Sequence, residues 1–294
     1  MIAFVLLAAC NQAGNHSKLY EDNPRKGTIY ISVDESFRPV VEQQIKVYEA
    51  SFPGTHIIAS YKSEADCFRD LQRDSTRMVI VARGLTKDES VFFENKLSYR
   101  PQYDIVAYDA VAAIVNIHAP DSIFTMQQLR DILDGKTATI AVMDGRNSTS
   151  TVRYLQDTVL TGRPFGKNVM AAAGSDSVIA IIERTSNTIG FIGMSWVGNE
   201  YEAQQLEDLK KIRLARLECI RCVEKGYFAK PSQASISYAQ YPLARPLYYI
   251  LKENATGLGT GFTNYLGLER GQLVFRRALL VPAKMNFTKR NVTQ

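Results

Sequence analysis

Short β-branched runs alternate with amphipathic stretches along most of the chain. Residues 28–32 have the composition and length of a buried strand, and the apolar residues between 37 and 52 fall on one helical stripe that Pro53 and Gly54 end. The same alternation predicts further strands at 56–61, 78–82, 105–117, 139–143 and 188–192, and helices at 63–73, 86–96, 125–133, 150–160 and 177–184. Strands that alternate with helices indicate a mostly parallel sheet, and the restart after Pro120 indicates two similar α/β lobes.

The composition is that of a folded globular protein. The chain has 294 residues, of which 46% are hydrophobic and 22% charged, so it can bury a sizeable core in one large domain or two lobes. No stretch approaches the roughly 20 consecutive apolar residues of a membrane span, which excludes an integral membrane protein. The formal net charge of +5 favours a small anion and falls short of the basic surface of nucleic-acid-binding proteins.

The first residues carry the pattern of an export signal. Residues 2–9 are wholly apolar, and the run ends in Leu-Ala-Ala-Cys with the cysteine at position 10, after which the chain turns polar. This resembles the box of bacterial lipoproteins, in which a cysteine receives lipid and becomes the first residue. We expect a signal peptide at 1–9, a lipidated tether at 10–26 that holds the exported protein on the membrane through Cys10, and a folded part from Gly27 onward. No Lys or Arg precedes the apolar run, and the alternative is a short buried segment with an incidental cysteine.

The other cysteines are read as structural. Cys67 and Leu71 share a helical face at a spacing of four, which favours a core thiol. Cys219 and Cys222 have no second Cys or His pair nearby to complete a zinc site. In an exported chain they form either a local disulfide or two reduced thiols, and the sequence leaves both possibilities open.

The turn before the helix predicted at 150–160 is the first candidate binding site. A helix start presents unpaired N–H groups and the positive end of the helix dipole, and both stabilise a phosphate-sized anion. Arg146 adds a planar fork that can grip two oxygens at once. Further donors come from four hydroxyls in a row, those of Ser148, Thr149, Ser150 and Thr151. The alternative is a Ser/Thr-rich helix cap with a solvent-facing arginine.

Five segments together resemble the substrate-binding proteins of phosphate ABC transporters. In chain order they are residues 81–89, 105–116, 146–155, 187–193 and 241–248, within a resemblance that covers about 27 to 285. The resemblance implies an α/β, two-lobed type II periplasmic-binding-protein fold, with mixed sheets flanked by helices and a ligand cleft between the lobes. It places lobe 1 at 27–108 and 243–294 and lobe 2 at 109–242, with crossings after Ile105 and around Tyr241.

The resemblance also bears on the site residues. Arg146 aligns with the anion-holding arginine of the family, although the glycines of the family's loop are missing here. A closing cleft needs donors from both lobes, and Ser32 and Ser63 lie at strand ends of lobe 1; Ser63 is equally explained as a helix cap. Arg83 stands where phosphate-selective members carry an aspartate. We expect Arg83 either to strengthen anion binding or to pair with a surface carboxylate.

The expected function is that of an extracytoplasmic lipoprotein receptor, which binds phosphate or a similar oxyanion and delivers it to an ABC importer. Its expected partners are the anion, the transporter permease and the membrane; nucleic acid is not expected, and the receptor is expected to be a monomer. The alternative is a non-transport lipoprotein that uses the same fold as a sensor or structural scaffold.

An enzyme is not expected. The chain has three histidines and carries no HExxH, Walker loop or nucleophile elbow. A hydrolase would need a metal cluster or a nucleophile with its base, and the sequence supplies neither. We therefore expect no cofactor and no metal.

Overall fold

The computed structural model describes residues 21–145, 149–199 and 201–285. Its strands are β1 (Lys26–Asp34), β2 (Gly54–Lys62), β3 (Met78–Val81), β4 (Gln102–Asn116), β5 (Ile123–Phe124), β6 (Ile140–Asp144), β7 (Val169–Ala172), β8 (Thr188–Gly193), β9 (Ile212–Leu214), β10 (Arg216–Glu218), β11 (Phe228–Ala229), β12 (Ala244–Leu251) and β13 (Val281–Pro282). Its helices are α1 (Arg38–Ser51), α2 (Glu64–Leu71), α3 (Lys87–Leu97), α4 (Met126–Leu133), α5 (Ser150–Thr158), α6 (Ser175–Arg184), α7 (Ala203–Asp208), α8 (Gln233–Ser237), α9 (Leu258–Gly267) and α10 (Glu269–Arg277).

The first lobe, called lobe 1 below, is built on a mixed sheet. Its strand order is β2-β1-β3-β12-β4, in which β1 is parallel to β2 and β3 while β12 is antiparallel to β3 and β4. Buried residues of β1, α1, α9 and α10 form its main core, among them Ile31, Val41, Phe262 and Phe275. The N-terminal elements and the C-terminal helices thus share one core.

The second lobe, called lobe 2, continues the same sheet. Its strand order is β4-β8-β6-β7, with β6 parallel to both of its neighbours and β4 antiparallel to β8 and β9. Helices α4, α5 and α6 contribute Leu129, Leu155 and Val178 to a separate core. A small sheet, β11-β10-β5, completes this lobe.

Strand β4 passes from one lobe into the other. Its first part, from Gln102 to Ala110, pairs with β12, and its second part, from Val111 to Val115, pairs with β8. Val106 and Ala107 accordingly belong to the core of lobe 1, whereas the residues from Ala110 onward belong to that of lobe 2. The prediction of an α/β, two-lobed fold with mixed sheets is confirmed.

Helix starts explain the small shifts from the predicted bounds. The predicted first helix begins at Arg38, because Glu35–Phe37 form a turn of 3-10 helix and Pro39 fits the first α-helical turn. The structure also contains elements that the sequence pattern did not predict, including β7, α9 and α10. Helix α9 was hidden by its three glycines, which weaken helix propensity and are accommodated by packing against its neighbours.

Two of the cysteines that the structure describes are paired and one is free. Cys219 and Cys222 are joined in a disulfide with their Cα atoms 5.5 Å apart, and Cys67 is a buried free thiol. Among the described residues, no helix is both long and apolar enough to cross a membrane, and no group of three or more His, Cys, Asp or Glu is placed to hold a metal ion.

Candidate functional site

Two turns face each other where the lobes meet. In lobe 1, β1 ends at Asp34, whose Oδ1 accepts the backbone N–H of Ser36 at 2.8 Å and so caps the 3-10 turn. In lobe 2, β6 ends at Asp144 and α5 begins at Ser150. Both turns follow the carboxyl ends of strands in one sheet, which is where ligands bind in open α/β sheets.

Asp34 reaches across the lobe boundary to the start of α5. Its Oδ2 accepts the backbone N–H of Ser150 at 2.8 Å, and its side chain is fully buried. The first N–H groups of a helix have no partner within that helix, so a carboxylate placed there is stabilised by the hydrogen bond and by the helix dipole. One of the N–H groups predicted to receive an external anion, that of Ser150, therefore already holds a carboxylate of the chain.

Asp144 collects hydroxyl groups from both lobes. Its Oδ2 accepts the hydroxyls of Ser36 at 2.9 Å, Ser175 at 3.0 Å and Thr151 at 3.2 Å. The hydroxyl of Thr149 donates to Oδ1 at 3.1 Å. All five residues are buried, and Ser36 alone among them comes from lobe 1. The network thus joins the lobes and satisfies polar groups whose burial without partners would cost free energy.

Arg245 brings positive charge into this buried cluster. Its Nε donates to Oδ2 of Asp109 at 3.0 Å, and its Nη1 donates to the hydroxyls of Ser150 at 3.0 Å and Thr151 at 3.3 Å. The guanidinium lies over the ring of Phe37, with Cζ 4.8 Å from the ring centroid. Arg245 therefore orients two hydroxyls at the start of α5 while its charge is balanced by Asp109.

An ion pair also crosses between the lobes beside this cluster. Arg153 of α5 donates through Nε and Nη2 to the two carboxylate oxygens of Glu64 at the start of α2. Glu64 is buried and accepts the backbone N–H of Ala82 at 2.9 Å, whereas the side chain of Arg153 is 30% exposed. A partly buried pair with two parallel hydrogen bonds holds its geometry better than a single surface contact.

The pKa of Asp34 is raised from its ordinary value to about 7. Burial is the largest cause, and the neighbouring carboxylates of Glu64 and Asp144 raise the pKa further. Arg245 and the N–H of Ser150 oppose this shift because both favour the charged form. The cluster therefore changes its charge near neutral pH.

An open cleft of about 650 Å³ adjoins the buried cluster. Lobe 1 lines it with residues that include Arg38, Lys62 and Ser63, and lobe 2 lines it with Gly145 and Thr149 among others. Gly145 has a φ of +80°, and a Cβ there would lie 2.3 Å from Cγ2 of Thr149, so this position requires glycine.

The predicted residues near α5 are partly brought together. Thr149, Ser150 and Thr151 lie side by side in the buried cluster. Ser63 lines the cleft and caps α2 by accepting the N–H of Asp66 at 3.1 Å. The remaining predictions for this region, Arg146 and Ser148, lie outside the described residues, as does the predicted lipidation site Cys10.

Ser32 and Arg83 lie elsewhere in lobe 1. The buried hydroxyl of Ser32 donates to Oδ2 of Asp70 at 2.7 Å. Arg83 makes two hydrogen bonds to Glu89, of 2.7 and 2.9 Å, and its Cζ lies 3.6 Å from the centroid of the Phe68 ring. The structure does not bring either side chain to the start of α5, and for Arg83 it shows the expected alternative, a pair with a carboxylate.

Sequence reasoning assigned no role to Asp109 and Arg245, although the signal was present. Each is a charged residue within a strand that is otherwise largely apolar, and their charges are opposite. Charged residues are almost never fully buried unless they are paired. A search for complementary charges in the two predicted crossing segments would have found this pair.

Two α/β lobes that share a continuous sheet, with a polar cluster and a cleft between them, define a two-lobed binding protein. The chain matches the family model of the PBP superfamily domain over residues 20–269 and belongs to that family.

Several relatives share the fold and part of the sequence. The phosphate-binding protein PstS of Pseudomonas aeruginosa is 24% identical over 223 residues, which cover 68% of this chain and 65% of that protein, less than two thirds of its length. PstS of Bacillus subtilis is 22% identical over 92% of this chain and 87% of that protein. A Clostridium perfringens protein, described as a phosphate ABC transporter substrate-binding protein and solved with bound phosphate, superposes with a TM-score of 0.70 at 20% identity, covering 88% of this chain and 100% of that one.

Proposed function

We propose that the protein is an extracytoplasmic receptor that binds phosphate or a similar oxyanion between its lobes and delivers it to an ABC importer. Membership of the PBP superfamily and the similarity to PstS proteins of two bacteria support this function. The observation that carries the proposal is the start of α5, where Thr149, Ser150 and Thr151 face the β1 turn of the other lobe. Such a helix start stabilises an oxyanion through N–H groups and the helix dipole.

The walls of the cleft supply further recognition. Arg38 and Lys62 place two cations on the side of lobe 1, where they pair with Glu35 and Asp70. The hydroxyls of Ser63 and Thr149 lie on opposite sides and donate to Asp66 and Asp144. Arg146, in the segment between Gly145 and Thr149, is proposed as the arginine that grips two oxygens of the anion.

Calorimetric titration with phosphate, sulfate and organic phosphates tests this function. Arg146→Ala is expected to weaken phosphate binding by about tenfold to a hundredfold, because a charge-assisted hydrogen bond contributes about 1.5 to 3 kcal/mol. Arg184→Ala is the matched control, since Arg184 is an exposed arginine of lobe 2 at the end of α6. Equal losses in both variants would contradict the placement of the site, and no binding of any anion would contradict the receptor function.

The proposed receptor is a monomer anchored to the membrane by lipid on Cys10. The apolar residues 2–9, the Leu-Ala-Ala-Cys box and the polar tether behind it support this anchor. Cys10→Ser is expected to release the protein from the membrane fraction without changing its affinity for phosphate. Retention of the variant in the membrane fraction would contradict the anchor.

The second candidate is a lipoprotein that uses the fold as a sensor or scaffold. The observation that favours it is that Asp34, Ser36 and Glu64 bond directly to lobe 2. A scaffold is expected to show no anion binding and no change in shape with phosphate. Small-angle scattering with and without phosphate, beside the titration, distinguishes it from the receptor.

A further inference from the structure

The bond between Asp34 and α5 has a consequence for how an oxyanion is recognised. Asp34 is held on both sides, because Oδ1 accepts the N–H of Ser36 and Oδ2 accepts the N–H of Ser150, each at 2.8 Å. An oxyanion that uses the N–H of Ser150 must therefore take the place of one carboxylate oxygen. It would also come close to the remaining charge of Asp34 in a region that excludes water.

The charges around Asp34 make this approach unfavourable while Asp34 is ionised. Three carboxylates converge on the lobe boundary here, Asp34 from β1, Glu64 from α2 and Asp144 from β6. Two arginines are nearby, but each is already engaged by a carboxylate, Arg153 by Glu64 and Arg245 by Asp109. The thiol of Cys67, on the α2 side, is buried and its pKa is raised by burial, so it stays neutral and adds no further negative charge.

We propose, on the basis of the proposed oxyanion receptor, that Asp34 occupies the position of the anion at the start of α5 and must take up a proton for an oxyanion to bind there. The proton comes from solvent and no covalent bond changes. A neutral Asp34 no longer repels the anion, and its new O–H can donate to a ligand oxygen. Asp34 is then a specificity-determining residue that couples anion binding to proton uptake.

The raised pKa of Asp34 agrees with this geometry and sets the pH range of the effect. At a pH above about 7 Asp34 is ionised before the anion binds, so binding requires the uptake of one proton; at a lower pH the proton is already present. Anion affinity should therefore fall as the pH rises. A cleft made only of donors gives the opposite trend for phosphate, which gains negative charge as the pH rises and would then bind more tightly.

Sulfate is the appropriate probe because it stays dianionic across the neutral range, so a pH effect on its binding comes from the protein. The dissociation constant of sulfate is expected to rise about tenfold from pH 6 to pH 8 in the full chain. Calorimetry in two buffers of different ionisation enthalpy should show close to one proton taken up per sulfate at pH 8. In Asp34→Asn the rise should be less than twofold and the proton uptake near zero.

Glu35→Gln is the matched control. Glu35 is the adjacent carboxylate, its pKa is also raised by burial, and it pairs with Arg38 at 3.0 Å. This variant should keep the tenfold pH effect even if its affinity changes. Circular dichroism verifies that both variants are folded, and the buffer comparison on the unmodified protein tests the proposal without any variant.

The outcomes separate the two proposals. Binding of sulfate without proton uptake, with the same pH dependence in Asp34→Asn, would overturn the role of Asp34 and leave the receptor function standing. Binding by Asp34→Asn but not by the unmodified protein at pH 8 would support it. Failure of both proteins to bind phosphate or sulfate from pH 5 to pH 8 would overturn the receptor function and this inference with it.

Discussion

The guanidinium of Arg245 and the carboxylate of Asp109 lie directly opposite each other on β12 and β4, 3.0 Å apart, with both side chains fully buried. Asp109 stands next to the point where β4 leaves lobe 1 and enters lobe 2, and Arg245 also bonds to the hydroxyls of Ser150 and Thr151. One ion pair thus ties the crossing strand to the start of α5. The position of the candidate site depends on this pair.

Asp109→Ala is expected to lower the free energy of unfolding by about 3–5 kcal/mol, because it leaves the charge of Arg245 buried without a counter-ion. Asp104→Ala is the control on the same strand, since Asp104 is 50% exposed and pairs with Lys284; its loss should cost less than about 1 kcal/mol. Urea unfolding of the three proteins measures both values. Similar losses of unfolding free energy in the two variants would show that the buried pair of Asp109 contributes no more to stability than the exposed pair of Asp104.

A comparable contrast is expected for two arginines of lobe 2. Arg153→Ala removes the guanidinium that pairs with Glu64 across the lobe boundary and leaves this carboxylate, 3% exposed, without its partner. The variant should lose about 2–4 kcal/mol of unfolding free energy. Arg163→Ala removes an arginine that is 46% exposed and pairs with Asp134 within lobe 2, and should cost less than about 1 kcal/mol.

The readout specific to Arg153 is the relation between the lobes. Small-angle scattering of Arg153→Ala should show a larger radius of gyration than that of the unmodified protein, because one interlobe bond is lost. No change in shape, together with a stability loss equal to that of Arg163→Ala, would contradict an interlobe role for the Glu64 pair.

Much of the fold was predictable because it rests on periodic burial. Strand β4 is apolar for most of its length and α1 buries one stripe, including Val40, Val41 and Tyr48, so spacing alone identified both. The order of these elements then indicated two α/β lobes. Strand β7, Val169–Ala172, was missed because it contains one β-branched residue and buries only Ala172, so it lacks the apolar β-branched run that identified β3.

The candidate site was less predictable because it depends on contacts between distant residues. The helix start at Ser150 was visible as a local pattern of hydroxyls. The carboxylate that accepts the N–H of Ser150 belongs to Asp34, 116 positions away. The guanidinium that donates to the hydroxyl of Ser150 belongs to Arg245, 95 positions away. A local sequence pattern does not show which distant charged residue will accept a given N–H group. That partner is determined by the packing of the two lobes.

Arg83 is expected to contribute to stability rather than to anion selectivity. Its guanidinium makes two hydrogen bonds with Glu89 and stacks on Phe68, and its side chain is 29% exposed. Arg83→Ala should cost about 1 kcal/mol of unfolding free energy and leave phosphate affinity within about twofold. Titration of the variant with phosphate and sulfate checks this. A loss of affinity as large as that of Arg146→Ala would return Arg83 to the binding site.

The pH dependence of stability is expected to report directly on Asp34. The pKa of Asp34 is about 7 in the folded protein, compared with the ordinary value of 3.8 that applies to the unfolded chain. Between pH 3.8 and about pH 7 the folded state therefore holds a proton that the unfolded state has released. The contribution of Asp34 is therefore most favourable below about pH 4, declines as the pH rises, and reaches its minimum above about pH 7. This difference in pKa between the two states corresponds to a loss of about 4 kcal/mol of unfolding free energy at most.

Urea unfolding of the unmodified protein and Asp34→Asn at pH 5, 6, 7 and 8 measures this contribution as a difference. The unmodified protein should lose stability relative to Asp34→Asn over this range, because the variant has no titrating group at position 34. Groups common to both proteins cancel in the difference, including Asp109, whose pKa is also raised by burial despite its pairing with Arg245.

Asp66→Asn is the control: hydrogen bonds from Ser63 and Arg69 lower the pKa of Asp66, so its contribution is lost only as the pH falls towards the acid range. The difference for Asp66→Asn should therefore be constant from pH 5 to 8. A constant difference for Asp34→Asn as well would mean that Asp34 is ionised throughout this range, and its bond to Ser150 would then be a fixed link between the lobes rather than one that protonation weakens.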